Sequence, residues 1–146
     1  MKIALASDHR GYKLKQELID YLKTKYEIID LGTNSEESTD FPKYGILLGE
    51  SIQKKEADLG IAICGTGIGI SIAANKVNGI MCAKINNEEE AKLAKEHNNA
   101  NIIALSGKTP LEKAKKMIEI FINSTPNQET KYQRRINQIL EYENAN

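Results

Sequence analysis

The sequence predicts an α/β fold: a three-layer α/β/α sandwich on a five-stranded, mainly parallel sheet, with one further helix at the C-terminus. Three observations lead there. Five short apolar runs punctuate the chain, and each is followed by a stretch of helical periodicity. Strands that alternate with helices in this way pair in parallel, with helices covering both faces. One apolar run, Leu59 to Ile63, ends in a cysteine and a loop with three glycines that leads into a helix-like stretch. That strand, tight turn and helix start place the domain among Rossmann-like architectures.

The elements follow in order. Lys2–Ala6 reads as a first buried strand. Tyr12–Lys23 carries Tyr12, Leu14, Leu18, Ile19 and Leu22 at helical spacing. Tyr26–Leu31 is a second strand closed by Gly32, and Ser35–Asp40 is a polar loop. Phe41-Pro42 opens a helix to about Lys55, with Pro42 in the first turn, where a missing N–H is tolerated. Leu59–Cys64 is the third strand, Ile68–Val77 a helix and Gly79–Lys84 the fourth strand. Asn86–His97 is a helix with Asn86 as its cap. Glu88, Glu89 and Glu90 lie in its first turn, where the helix dipole favours negative charge. Asn101–Leu105 is the fifth strand and Pro110–Ile122 a helix. Ser124–Gln128 is a polar break, and Lys131–Tyr142 a final amphipathic helix.

A chain of 146 residues is expected to form one domain over 1–146, with a single core. Twenty basic and twenty acidic residues cancel, so nothing in the charge points to nucleic acid or an acidic membrane surface. No stretch approaches the ~20 apolar residues of a membrane span. The apolar run at Met1–Ala6 is too short for a signal peptide, and the expected location is cytoplasmic. Cys64 and Cys82 lack CxxC spacing and are too few for a disulfide framework, so both read as reduced thiols. With only two histidines, at no ligand spacing, no metal site is expected.

Ligands of open parallel sheets bind beyond the carboxyl ends of the strands. That rule selects Ser7-Asp8-His9, Gly32-Thr33, Cys64–Gly69, the Lys84–Asn87 region and Ser106-Gly107-Lys108. The loops at Asp8-His9 and Cys64–Gly69 are expected on neighbouring strands across the switch point. In Cys64-Gly65-Thr66-Gly67-Ile68-Gly69-Ile70-Ser71, glycines let a ligand approach backbone amides that point at it. Cys64 beside such amides is a candidate base or nucleophile; the alternative is a small buried hydrophobe. Ile70 stands where a dinucleotide fingerprint needs its third glycine, and no Gly-Lys-Ser/Thr follows, so the loop suits a small phosphate or sugar oxygen better. Cys82, inside the apolar stretch Ile80–Ala83, reads as core. Asp8 is either a helix cap or an acid/base carboxylate next to a phosphate-facing His9. His97 at a helix end is explained either by the helix dipole or by acid/base work. Lys131-Tyr132-Gln133-Arg134-Arg135 is either a solvated face or a clamp for a dianionic phosphate.

Taken together, several segments resemble the ribose-5-phosphate isomerase type B and galactose-6-phosphate isomerase family. They are Ser7-Asp8-His9 with Gly11, Asp30-x-Gly32-Thr33, Asp40-Phe41-Pro42, Gly60 to Ser71, Ala73 to Ile80, and His97-Asn98-Asn99-Ala100-Asn101. The resemblance spans nearly the whole chain. It implies cofactor-free aldose–ketose isomerisation of a phosphorylated sugar through an enediol(ate). Carried over by position, Cys64 is the base that moves the proton between C1 and C2. Thr66 and the amides of Gly65–Gly69, with Ser71 at the helix start, hold the developing oxyanion and sugar oxygens. His97 opens the ring with Asp8 assisting, Asn98 holds sugar oxygens, and His9 faces the phosphate. It also implies a homodimer, or a pair of dimers, with each site completed by the second subunit.

The chain differs from the family pattern at identifiable positions. Phe41 stands where tyrosine is usual and lacks its hydroxyl. Lys131 and Arg135 stand for a pair of phosphate-binding arginines, and Lys108 for another arginine; lysine is a point charge without the planar fork. Met81 follows Gly79-Ile80 where arginine is usual. These changes bear on which sugar is used. The retained His97 favours ribose 5-phosphate. The rivals are an allose or galactose 6-phosphate isomerase and a non-catalytic binding module for a sugar phosphate or nucleotide.

Overall fold

The computed structural model describes residues 1–145. In chain order it contains β1 (Lys2–Ser7), α1 (Tyr12–Leu22), β2 (Glu27–Asp30), α2 (Phe41–Gln53), β3 (Leu59–Cys64) and α3 (Ile68–Asn75). Then come β4 (Cys82–Lys84), α4 (Glu88–Asn98), β5 (Ile102–Ser106), α5 (Leu111–Asn123) and α6 (Thr130–Ala145). The strands form one sheet in the order β2-β1-β3-β5-β4, and every pairing is parallel. The chain winds from β1 to one edge, returns to β3, and fills the other side, so the direction of winding reverses between β1 and β3.

Period-two alternation divides the sheet into unequal faces. Ile3, Leu5, Ile61, Ile63, Ile103 and Leu105 point to one side and pack on Leu14 and Leu18 of α1, Ala94 of α4, and Met117 and Phe121 of α5. Ala4, Ala6, Ala62 and Ala104 point to the other side, under Leu48 and Ile52 of α2 and Ile70 and Ala74 of α3. On the alanine face α2 and α3 come close to each other. A Cβ built on Gly45 would lie 2.8 Å from Ala73 Cβ, and one on Gly49 2.8 Å from a Val77 methyl.

Most element boundaries differ from the sequence reading by one to three residues, and two of these differences have clear local reasons. The fourth strand begins at Cys82 rather than Gly79 because two asparagine side chains bind the backbone before it. Asn101 accepts from Met81 N–H at 2.9 Å and donates to Gly79 C=O at 2.9 Å. Asn75 accepts from Cys82 N–H at 2.7 Å and donates to Cys82 C=O at 2.9 Å. The cap of α4 is Asn87, not Asn86: its side chain accepts from Glu90 N–H at 2.8 Å, while Glu90 accepts from Asn86 N–H at 2.7 Å. That reciprocal pairing is a variant of the capping box.

Lys15 of α1 is fully buried and ion-paired to Asp30 at the end of β2, Nζ to Oδ1 2.7 Å. The same Oδ1 accepts from Gly32 N–H at 3.0 Å. This ties α1 to the loop after β2. Ile136 is the one buried residue of helix α6. The helix is fastened at its start by Gln133 Nε2 donating to Asn127 C=O (3.0 Å) and near its end by Glu143 accepting from Gly79 N–H (2.9 Å). No helix among the described residues is long and apolar enough to cross a membrane.

Candidate active site

The carboxyl ends of β1 and β3 are adjacent, with Ser7 in register with Ile63. The next residues on each strand are therefore Asp8 and Cys64, about one strand spacing apart. Both line a cleft of about 310 Å³ together with His9, Thr39, Phe41, Gly65, Thr66 and Gly69. A contiguous cleft of about 400 Å³ shares His9, Arg10 and Gly65 and adds Lys13, Glu36 and Lys108. The first holds the thiol and a carboxylate; the second is rich in cations.

Cys64 is buried, with 4 % of its surface exposed. Its Sγ accepts from Gly67 N–H at 3.2 Å. Gly67 sits at the cap of α3 with φ of 80°, in the left-handed region that suits glycine, and its amide turns back to the sulfur. Negative charge forming on Sγ therefore meets a fixed donor at a helix N-terminus. The Thr66 hydroxyl accepts from Ile68 N–H at 3.1 Å, which fixes its Oγ1 at the exposed lip of the loop. The loop amides are thus not all available to a ligand: those of Gly67 and Ile68 serve the sulfur and the hydroxyl, leaving Gly65, Thr66 and Gly69 on the cleft. Gly67 N–H is thus engaged by the sulfur. Ser71 is buried, and its hydroxyl donates to Ile68 C=O at 2.7 Å within α3.

Asp8 is 6 % exposed. Its Oδ1 accepts from Arg10 N–H (2.9 Å) and Gly11 N–H (3.1 Å), holding the turn into α1. The cap of α1 itself is Gly11, so that oxygen braces the turn before the helix rather than capping it, and the carboxylate borders the cleft. His9 Nδ1 lies 3.1 Å from Thr39 C=O and 3.2 Å from Thr39 N–H. Phe41, at the start of α2, faces Gly69 so closely that a Cβ there would lie 2.6 Å from the ring. Lys108 is held on its turn by its N–H donating to Ser106 Oγ at 3.1 Å. Burial pushes the Cys82 thiol up to about 12 and keeps it neutral, but the side chain is half-buried beside the core rather than inside it, because β4 is an edge strand that borders an open cleft.

The remaining expected residues lie elsewhere. His97 ends α4, at the entrance to β5, whose first residue Ile102 pairs with Gly60. Gly60 is four residues before Cys64 on β3, or about 13 Å at strand spacing. His97 and Cys64 of one chain therefore sit at opposite ends of the sheet. His97 stacks on Tyr132 of α6, with ring centroids 4.5 Å apart and planes 14° apart. Lys131 places Nζ 5.0 Å over the same Tyr132 ring and 3.8 Å from Glu129. Arg135 is exposed on α6. Asn98 borders a cleft of about 630 Å³ between β4, the end of α3 and α6, lined also by Ile80, Cys82, Ile139 and Tyr142.

Sequence reasoning passed over Arg10, Lys13, Glu36, Thr39 and Tyr132. Thr39 borders the quoted Asp40-Phe41-Pro42 segment, and Tyr132 sits inside the basic cluster. Either position was a signal available in the sequence.

Comparison with known proteins gives a consistent picture. The family model described as Ribose/Galactose Isomerase matches residues 3–139. A ribose-5-phosphate isomerase B structure from Clostridium thermocellum superposes with a TM-score of 0.95 at 44 % identity, covering 99 % of each chain. The structure of ribose-5-phosphate isomerase B from Mycoplasma genitalium with bound ribulose-5-phosphate gives 0.93 at 38 % identity, covering 99 % of this chain and 97 % of that one. A galactose-6-phosphate isomerase subunit, LacB, of Clostridium acetobutylicum is 39 % identical over 126 residues, 85 % of this chain and 73 % of its own.

Proposed function

The chain belongs to the ribose/galactose isomerase family, and we propose that it interconverts ribose 5-phosphate and ribulose 5-phosphate through an enediol(ate), as one isomerase domain without a cofactor. The observation that carries this reading is the placement of Cys64, its sulfur held by Gly67 N–H, beside Asp8 and Thr66 on a cleft that opens into a cationic one.

The chemistry follows from that geometry. Aldose–ketose isomerisation removes a proton from C2 and returns it to C1, while the carbonyl oxygen and the neighbouring hydroxyl exchange roles. Cys64 serves as the base for the carbon-bound proton, and the Thr66 hydroxyl and the amides left open on the loop meet the oxygen that gains charge. Asp8 handles a hydroxyl proton. The phosphate reaches toward His9 and Lys108.

A second copy of the chain completes the site in this reading. It supplies His97 for ring opening, Asn98 for sugar oxygens, and Lys131 and Arg135 for the phosphate. Support comes from the separation of His97 from Cys64 within one chain and from exposed apolar side chains on α3 and α6. Ile68 and Ile72 of α3 are 55 % and 58 % exposed, and Ile139 of α6 is 50 % exposed. A two-fold dimer would cover such surfaces reciprocally. The expected setting is the cytoplasm.

A six-carbon substrate is the second reading, favoured by the likeness to a galactose-6-phosphate isomerase subunit. The test is side-by-side turnover of ribose 5-phosphate and galactose 6-phosphate by purified protein, with solvent-deuterium incorporation at C1 or C2 of the sugar. Turnover of the pentose with exchange supports the first reading. Turnover of the hexose alone replaces it.

A further inference from the structure

We propose that the backbone of Thr39 makes His9 a hydrogen-bond donor to a bound anion in both of its charge states, so that Thr39 is a positioning residue for phosphate recognition. The inference rests on the reading of His9 as a phosphate-facing group.

A neutral imidazole has one N–H and one lone pair; a charged one has two N–H groups. A phosphate dianion offers acceptors only. A histidine facing it is useful through Nε2–H and repulsive through an Nε2 lone pair. Which of these it presents depends on what the other nitrogen, Nδ1, is doing. Here Nδ1 is bracketed by a single residue, with Thr39 N–H at 3.2 Å and Thr39 C=O at 3.1 Å. In the neutral ring, Nδ1 accepts from Thr39 N–H and the proton sits on Nε2. In the charged ring, Nδ1–H donates to Thr39 C=O and Nε2 keeps its proton. The switch between the two needs no ring flip and no movement of the loop. Nε2, the nitrogen left over, belongs to a residue that, with Arg10 and Gly65, lines both the thiol cleft and the cationic cleft.

The bracket is itself supported. Tyr44 of α2 is largely buried, and its ring packs against Gly32. Thr33 and Thr39 beside its hydroxyl lower its pKa from the usual tyrosine value. Thr33 in turn is joined to β1 by its N–H donating to Ser7 C=O at 2.8 Å. The loop that carries Thr39 is thus held to the strand that carries His9. The charged and titratable groups around His9 are Asp8, Arg10 and Lys13 on its own segment, Glu36 and Asp40 on the Thr39 loop, Cys64 at the end of β3, and Lys108 after β5.

The test uses sulfate, a dianion whose charge is constant over the pH range in which imidazole titrates. His9 protonation is followed by NMR of its ring in the same samples. In the wild-type protein, sulfate is expected to keep its His9 contact on both sides of that titration, with ¹⁵N shifts placing the proton on Nε2 when the ring is neutral. Thr39→Pro removes the backbone N–H and leaves the carbonyl. Sulfate binding by this variant is expected to weaken about tenfold on the alkaline side and to remain near wild type on the acid side. Equal weakening at both ends, or none, overturns the proposal. Where Thr39→Pro does not fold, the wild-type ¹⁵N shifts decide: a neutral, sulfate-bound ring protonated on Nδ1 overturns it. Neither measurement needs turnover. A protein inactive on sugar phosphates but with the bracket intact would sink the proposed reaction and leave this inference standing. An active isomerase with the opposite tautomer would do the reverse.

Discussion

The rim at the carboxyl ends of β1 and β3 and the corner where α4 meets α6 both carry acid/base and anion-binding residues, yet they are built differently. At the rim, strand register and a glycine cap fix the parts. Asp8 and Cys64 follow paired residues of adjacent strands, and Gly67 points an amide at the sulfur. At the corner, His97 is held by a ring stack and α6 by a few polar ties, with only Ile136 of that helix buried. The rim is held by strand register and a cap. The corner is an outlying arm at the other end of the sheet, where His97 and Lys131 both lie against Tyr132.

The largest effect is expected from the rim. Cys64→Ala should lower turnover of ribose 5-phosphate by about a thousandfold. Circular dichroism and thermal melting should show the fold retained, because the change forfeits one weak hydrogen bond and little volume. Near wild-type turnover would remove Cys64 as the base. At the corner, His97→Asn should cost about a hundredfold on the cyclic substrate and little on a ring-opened analogue. Equal losses on both would end the ring-opening assignment.

A third experiment joins the two regions. Mixing the inactive Cys64→Ala and His97→Asn proteins should restore about a quarter of wild-type activity, since half the dimers are mixed and each has one intact site. No recovery under conditions that exchange subunits would mean that rim and corner do not meet across a dimer. The smallest effect concerns Lys131. Replacing its point charge by the planar fork in Lys131→Arg should lower KM by about threefold with kcat unchanged. A change in kcat alone would place Lys131 nearer the reacting carbons than the phosphate.

The rim was largely legible in the sequence and the corner only in part, for a physical reason. Strand-to-loop boundaries are marked by apolar runs and glycines, so the placing of Asp8, His9, Cys64 and Lys108 at one end of the sheet followed from periodicity and the parallel-sheet rule. Side-chain direction did not follow. Ser71 lies in the right helix turn but bonds Ile68 C=O, and the Gly67 amide faces the sulfur rather than the cleft. The fourth strand was read too long because apolar content at Ile80 and Met81 hides the asparagine side chains that bind the backbone there. The stack of His97 on Tyr132 joins residues of two helices separated by a strand and a third helix. No local pattern encodes such a contact.

The unequal faces of the sheet set opposite rules for substitution along a single strand. On β1, Ile3 and Leu5 fill space beneath α1 and α5, so trimming them to alanine opens cavities at about 2–5 kcal/mol each. Ala4 and Ala6, one residue away, lie under α2 and α3, so enlarging them forces apart helices already in close contact. Tolerance to size therefore reverses sign at every step from Ile3 to Ala6, with Ile3 and Leu5 refusing smaller side chains and Ala4 and Ala6 refusing larger ones. Sequence drift in this chain is channelled accordingly: the face toward α1, α4 and α5 can exchange one large aliphatic for another, while the face toward α2 and α3 has almost nowhere to go.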